Sequence, residues 1–579
     1  MKVRVIFILL CCVILTTQAQ ITVGPDVNCD YSTVQEAIDN GNELSIHLSN
    51  ESIFRENLVF QGYSDYVITG GYNNCLDAAN NVPSQFKTIL SGDLDDDNVG
   101  DDPVMKITGE GIIRLSGLRL TEGFESFSFT SLGGGLSIYN FDGTIHLSNV
   151  DISNNQGYLG GGVSINGSNT DLKIGDNVFV LGNRSSVNGG GIWCSGQSSI
   201  DFSVEATNSG VAANTANSNG GGVYLQSSCS MTFHNGMPSA LDGDFRGIYA
   251  NKANGNGGGI YLSSGAQLEL SGIAGNVANV TFNTADYDND NNGNGGGIYA
   301  TDLSTHITAS NVMIGYNYAI NGGGVYLDAS ATMQVQKTSK YCWNTNHCNL
   351  FTFNYGKLAG GAIYANDQAI FDIKQTLFNY NRSALATTIH LNNKALGNTS
   401  ANIFSNNGDN GSNSIEDKYV VNLLKGSTLY STFDTYVENN ASEAVISFTH
   451  DIQSGPNTVL FYGNIVDDAS TGDVSDLNGS TAQTLFACLI VHEDSSTFGD
   501  NIIEANPEFV NKLAEDFHLL TTSPAIDLCS EDAIEFPQDF DSNFKAWDSP
   551  DSPGTGEFIA DAGAFESYAA DIIFKNGFD

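Results

Sequence analysis

The chain has 579 residues, with 65 acidic and only 22 basic side chains and a formal net charge of −43. Just 15% of residues are charged, so the imbalance reflects scarce Lys and Arg rather than an acidic tail. Such a field repels nucleic acid and anionic lipid headgroups, which argues against both as partners unless cations bridge.

Met1–Ala19 reads as a secretory signal. Lys2 and Arg4 precede an apolar run from Val5 to Leu15, and Thr17 and Ala19 are small enough for cleavage before Gln20. About 11 apolar residues are too few to span a bilayer, and no later stretch comes closer, so no transmembrane helix is expected in the mature chain. Cys11 and Cys12 leave with the signal. Eight cysteines remain, an even number suited to an oxidising compartment. Proximity pairs Cys29 with Cys75, Cys194 with Cys229, Cys342 with Cys348 and Cys488 with Cys529.

Residues 20–102 form an N-terminal cap with the first coils. Thr33 caps a short helical run, Val34 to Ile38, and a run of aspartates follows from Asp93 to Asp102. From 103 to 468 the chain repeats. Glycine triplets followed by a short apolar strand begin at Gly133, Gly160, Gly189, Gly220, Gly257, Gly295 and Gly322. A GGAIYA copy begins at Gly360 and a degenerate ATTIHL at Ala386. A base period of about 27 residues, lengthened by insertions such as Asp286–Asn294 and Cys342–Cys348, marks a solenoid. Gly, Asn and Ser punctuate each unit, and the segments between them alternate as strands do. The expected fold is all-β, a right-handed parallel β-helix of about a dozen coils capped at both ends, about 60 Å long at ordinary strand spacing. Alternation puts Ile192, Val223, Ile260, Ile298, Val325 and Ile363 in the bore, and Trp193, Tyr224, Tyr261, Tyr299, Tyr326 and Tyr364 on the outside. Asn155, Asn183, Asn214, Asn251, Asn317, Asn354 and Asn381 stand five or six residues before each corner and are expected to stack as a structural column.

Residues 469–566 read as terminal coils and a C-terminal cap, and 567–579 as a tail ending in IFKNGFD.

GGAIYA, with FTFN at Phe351–Asn354 and FNYN at Phe378–Asn381, resembles the GGA[ILV] and FxxN repeats of polymorphic outer membrane proteins. These belong to the pectin-lyase-like superfold of right-handed parallel β-helices. NPEFVNKLAEDFHLLTTSPAIDLC and IADAGAFE resemble the choice-of-anchor Q domain of secreted bacterial β-helix proteins. The tail looks like an IFxxGF[ED] motif of exported Gram-negative proteins. The resemblance implies a protein secreted from, or held on, the surface of a Gram-negative bacterium. No transmembrane-barrel signature follows the coils.

Three features could carry chemistry. The outward aromatic column could stack on sugars or a partner's apolar groups, or could simply stabilise its sheet. Asp93, Asp95, Asp97 and Asp101, and Asp286, Asp288 and Asp290, are hard oxygen ligands on short loops. Calcium is the cofactor they would take, and a solvated acidic loop is the plain alternative. Catalytic sets are sparse. Polygalacturonase-like helices use NTD, DD, GHG and RIK, of which Asn169-Thr170-Asp171 supplies the first, and the sequence has no GHG or RIK. Pectate-lyase-like sites need an Arg beside carboxylates, and Arg is scarce along the coils (Arg114, Arg119, Arg184, Arg246, Arg382). The sequence therefore assigns no catalytic residue. It points to a non-catalytic adhesin-like or structural protein, with polysaccharide or a host or matrix surface as partner. A polysaccharide lyase or hydrolase, and a carbohydrate-binding rod, are the alternatives.

Overall fold

A computed structural model describes residues 20–567, apart from 41–44, 64, 127–131, 205, 207, 235–245, 274–275, 340–347, 409–416, 450–454, 469–474, 477–482, 493–501, 531–537 and 546–559. The fold is a right-handed parallel β-helix. Three strands per coil pair in parallel with their counterparts one coil on, so three walls enclose an apolar bore, and many coils add a short fourth strand before the glycines, such as Arg184–Asn188 and Tyr355–Ala359. The first wall is built from the strands after the glycines, such as Ile260–Leu262. The second contains Gln267–Ser271 and the third Ala278–Thr281.

Strand parity follows the apolar alternation. Ile192, Val223, Ile260, Ile298, Val325 and Ile363 are register partners in that order, and all are fully buried. On the third wall Phe351, Phe378, Phe404 and Tyr436 stack within the bore, with ring centroids 5.0, 4.8 and 4.5 Å apart.

Between the third wall and the glycines, each coil turns through one left-handed residue followed by a buried asparagine. Asn155, Asn183, Asn214, Asn251, Asn283, Asn317, Asn354, Asn381, Asn407 and Asn439 form one ladder. Each Oδ1 after the first rung accepts the Nδ2–H of the rung before, at 2.9–3.1 Å. It also accepts the backbone N–H of that rung, and each Nδ2 donates further to a main-chain carbonyl of the preceding coil. A buried amide with every group in use is strongly favoured over one left unpaired.

The glycine corner is the counterpart of this ladder. Gly257 has φ +69°. A Cβ on Gly258 would lie 2.4 Å from the carbonyl carbon of Thr284, and one on Gly259 would lie 2.6 Å from Gly297 O and 3.0 Å from the Asn283 amide. Main chain and ladder of the next coil thus occupy the space a side chain would need. Towards the C-terminal coils this contact loosens. The amide carbon of Asn354 is 3.2 Å from where a Cβ on Gly324 would sit, and in the next copy the third position is Ala362.

At the N-terminal end the helix Val34–Asp39 buries Val34, Ala37 and Ile38 against the first coil. Thr33 Oγ1 caps it, and the Glu56 carboxylate accepts the N–H groups of Val34 and Gln35 at 2.9 Å each. Negative charge at orphan donors of a helix start is favourable. A second short helix, Cys75–Ala79, is tied down by the Cys29–Cys75 disulfide. Cys194–Cys229 and Cys488–Cys529 also form. The Cys342–Cys348 pair involves Cys342, which lies outside the described residues, as do the signal segment and the IFKNGFD tail.

The C-terminal region first supplies further strands, including Leu489–Val491 and Ile502–Glu504. It then turns back along the outside of the third wall. Ser530 N–H donates to Tyr462 Oη, Ala564 N–H to Thr435 Oγ1, Gln375 Nε2 to Asp539 O, and Lys337 Nζ to Phe540 O. The cause is visible in the wall itself. Leu377, Ile403, Val437 and Ile465 point outward yet are aliphatic, and Phe517, Phe540, Ala564 and Ile526 cover them. Under this strap Lys545 and Glu566 form a fully buried pair, Nζ to Oε2 3.3 Å, with Lys545 also donating to Gly563 O and Phe565 O.

The corner geometry makes a paired prediction. Gly259→Ala forces the next coil outward and lowers stability by about 1–3 kcal/mol, the usual range for overpacking. Ala362→Gly adds only the backbone freedom of glycine, under about 1 kcal/mol. Urea melts of both variants test this, and a larger loss at Ala362 would refute the account.

Candidate ligand-binding surfaces

The aromatic column faces away from the bore, as the alternation requires, but it is not open to solvent. Trp193, Tyr224, Tyr299 and Tyr326 are buried, and Tyr261 and Tyr364 are half-buried. Successive rings from Tyr224 to Tyr364 lie nearly parallel, with centroids 4.6, 5.1, 5.1 and 4.8 Å apart, and His390 continues the stack at 4.6 Å. Leu132, Tyr158 and Leu159 pack beside Trp193 and Tyr224. Each ring face is therefore spent on the next ring, and a sugar could reach only edges and hydroxyls. Burial, followed by neighbouring phenols and Asp302, Asp328 or both, raises the ionisation of Tyr261, Tyr299 and Tyr326 far above that of an ordinary phenol. Burial also pushes His390 down to about 3, so the top of the stack is neutral imidazole.

A second aromatic ladder lies at the left-handed corner, one residue before the asparagines. Phe282, Tyr316, Phe353 and Tyr380 have φ of +59°, +57°, +52° and +54° and stack at 4.7, 4.8 and 4.7 Å. Tyr316, Phe353 and Tyr380 remain 36–43% exposed. Bulky residues resist this conformation, and other coils use Asn154, Gly182 and Asn406 there. Sequence reasoning passed over this ladder, although the recurring aromatic–Asn dipeptide (Phe282-Asn283, Tyr316-Asn317, Phe353-Asn354, Tyr380-Asn381) was its signal. Tyr380 Oη donates to Glu515 of the strap at 3.0 Å.

The acidic loops differ from one another. Oxygens of Asp93, Asp95 and Asp101 lie within 4.8 Å of one another, as do those of Asp286, Asp288 and Asp290. Asp97 is not in the first group, and its Oδ1 accepts the Val99 N–H. Asp93 is largely committed already. It accepts the N–H groups of Asp96, Asp97 and Asn98 and pairs with Arg55 at 3.0 Å. The carboxyl of Asp95 is raised first by Asp97, and that of Asp290 first by desolvation and then by Asp288. Asp286 holds its loop through the N–H groups of Asn291 and Asn292.

Two grooves open on the flanks. One, of about 550 Å³, gathers Lys87 and Arg119 around Asp151, at 2.6 and 3.4 Å, with Phe86 and Ile53 exposed beside them. The other, of about 480 Å³, lies on the outer face of the second wall, over Asp372, Asn398, Tyr430 and Leu460. The same face carries Arg114, His146, Lys173, Asp201, Thr232 and Glu269 in register. Burial, then Arg114 and Lys173, lowers the His146 imidazole, and Lys173 pairs with Asp201 at 3.1 Å.

No family model matches this chain, and no curated protein is significantly similar to it.

The stacked tyrosines should show in an alkaline titration followed at the phenolate absorbance. Of the chain's 23 tyrosines, those from Tyr224 to Tyr364 should ionise only as the fold is lost, well after the exposed set. A single smooth titration complete before unfolding would contradict the burial.

Proposed function

We propose that the protein is an exported, non-catalytic rod acting at or outside the cell surface as an adhesin-like or structural element. One observation carries the reading, the unequal fate of the three walls. The first spends its outer face on an aromatic stack and the third is covered by the C-terminal strap over its later coils, while the second keeps a polar, accessible register of side chains along the rod. A rigid support that consumes one face and part of another internally and leaves the second wall open suits a display surface better than an enclosed reaction site. The disulfides fit an oxidising, extracellular setting. The likeness of the GGAIYA and FxxN copies to polymorphic outer membrane protein repeats, and of the C-terminal region to choice-of-anchor Q, supports the same surface role and a Gram-negative source.

A second reading, a polysaccharide lyase or hydrolase, is favoured by the Lys87–Asp151–Arg119 groove, where a carboxylate sits between two of the chain's few cations. The purified exported chain should adhere to matrix or glycan-coated surfaces and release neither reducing ends nor unsaturated uronates from them. Release abolished by Asp151→Asn would replace the first reading with the second.

Calcium is the ion we propose for the acidic loops. The convergent oxygens of Asp286, Asp288 and Asp290 support it, because like charges held together are relieved by a divalent cation. The thermal midpoint should rise more in CaCl₂ than in NaCl of equal ionic strength, and Asp288→Asn with Asp95→Asn should remove the excess. Equal responses would mean screening alone.

A further inference from the structure

The groove on the second wall stands apart from the other aromatic surfaces of the rod. Asp372, Asn398, Tyr430, Leu460 and Leu485 are register partners on successive coils, all on the outward side. Tyr430 is 39% exposed and Leu485 57% exposed. Among the described residues no ring stacks on Tyr430, unlike the tyrosines of the first wall and the left-handed corner. One end of the trough is therefore an apolar platform with an available aromatic face.

The other end is polar and electrically balanced. Asp372 Oδ2 accepts Lys374 Nζ at 2.9 Å, so the pair brings no net charge. Asn398 Oδ1 is enclosed at the groove and, among the described residues, accepts no hydrogen bond, which leaves it short of a donor. Ser400 and Thr432 add hydroxyls to the rim. An acceptor-only carboxylate, an amide offering both donor and acceptor, and hydroxyls set beside an aromatic face make up a recognition set for a polyhydroxylated ring. The C–H face of such a ring lies on the aromatic and its hydroxyls meet the polar edge. The charge of the chain selects among such ligands. At −43 it repels uronates and sulfated sugars at long range, and among the described residues this groove holds no uncompensated cation to offset that.

We infer that the trough over Asp372, Asn398, Tyr430 and Leu460 is a binding site for a neutral glycan, with Tyr430 as the stacking platform. The inference rests on the reading of the second wall as the display face and names what that face takes. Tyr430 lies outside both stacks and the bore, so its replacement leaves the fold's supporting contacts in place.

The test uses the full exported chain and a panel of cello-, laminari-, malto-, manno- and chito-hexaose, with oligogalacturonate and heparin fragments as anionic counterparts, read by calorimetry. At least one neutral hexaose binds. Tyr430→Ala weakens that binding about tenfold or more, Tyr430→Phe retains it, and Asp372→Asn weakens it, all with unchanged thermal midpoints. Binding of only the anionic fragments would overturn the inference, as would neutral binding indifferent to Tyr430→Ala. Adhesion to a matrix surface that survives Tyr430→Ala, with no hexaose bound, would also overturn it while leaving the adhesive reading of the rod intact.

Discussion

Everything in this rod depends on one contact repeated along its axis: the asparagine amide of one coil filling the space beside the glycine corner of the coil before it. The amide needs a left-handed residue ahead of it to point inward, and it needs neighbours above and below to use its donor and acceptor groups. The corner needs glycine because that amide and its following backbone lie where a Cβ would be. Neither half is stable alone. An isolated buried asparagine leaves donors unpaired, and an isolated glycine triplet adds only backbone entropy to be lost. Cooperativity along the axis follows, since removing one rung leaves two others incomplete.

With that spine fixed, the walls differ by what lies on their outer faces. Parallel sheets are usually buried on both sides. The first wall meets this by stacking rings at close to the strand spacing, so aromatic contacts run in the same direction as the hydrogen bonds. The third wall meets it over its later coils by carrying aliphatic residues at both parities, which a separate segment of chain then covers. The second wall alternates along the rod in the manner of a one-sided sheet.

The bore was legible in the sequence because strand parity needs only near neighbours: Ile260 and Leu262 inward, Tyr261 outward. Most of the asparagine column was legible by its offset from the corner. Asn283 escaped because Asp286–Asn294 is inserted between it and its glycines, and Asn407 and Asn439 because the triplets have faded there. The burial of Trp193, Tyr224, Tyr299 and Tyr326 was not legible, since it depends on each ring lying over one that is 27 to 38 residues away. Nor was the strap. Leu377-Phe378 and Ile403-Phe404 show two adjacent apolar residues, but which partner covers the outer one is set by contacts well over a hundred residues distant. The grooves were beyond sequence for the same reason, because Asp372, Asn398, Tyr430 and Leu460 share a column only once coil lengths are known. The acidic loops were legible as clusters, whereas the commitment of Asp93 to Arg55 and three N–H groups was not.

The backward course of the strap sets an order of events. A solenoid can grow coil by coil from its N-terminal cap as the chain emerges, each new turn templated by the last. The strap cannot join this zipper, because its docking column is spread over coils made long before it, from Lys337 to Cys488. During synthesis the outward aliphatic face of Leu377, Ile403, Val437 and Ile465 therefore stands bare until the final segment arrives, and Cys488 waits for Cys529. The nascent rod carries a sticky seam for as long as its last tenth is missing, so truncation there threatens solubility before it threatens the coils.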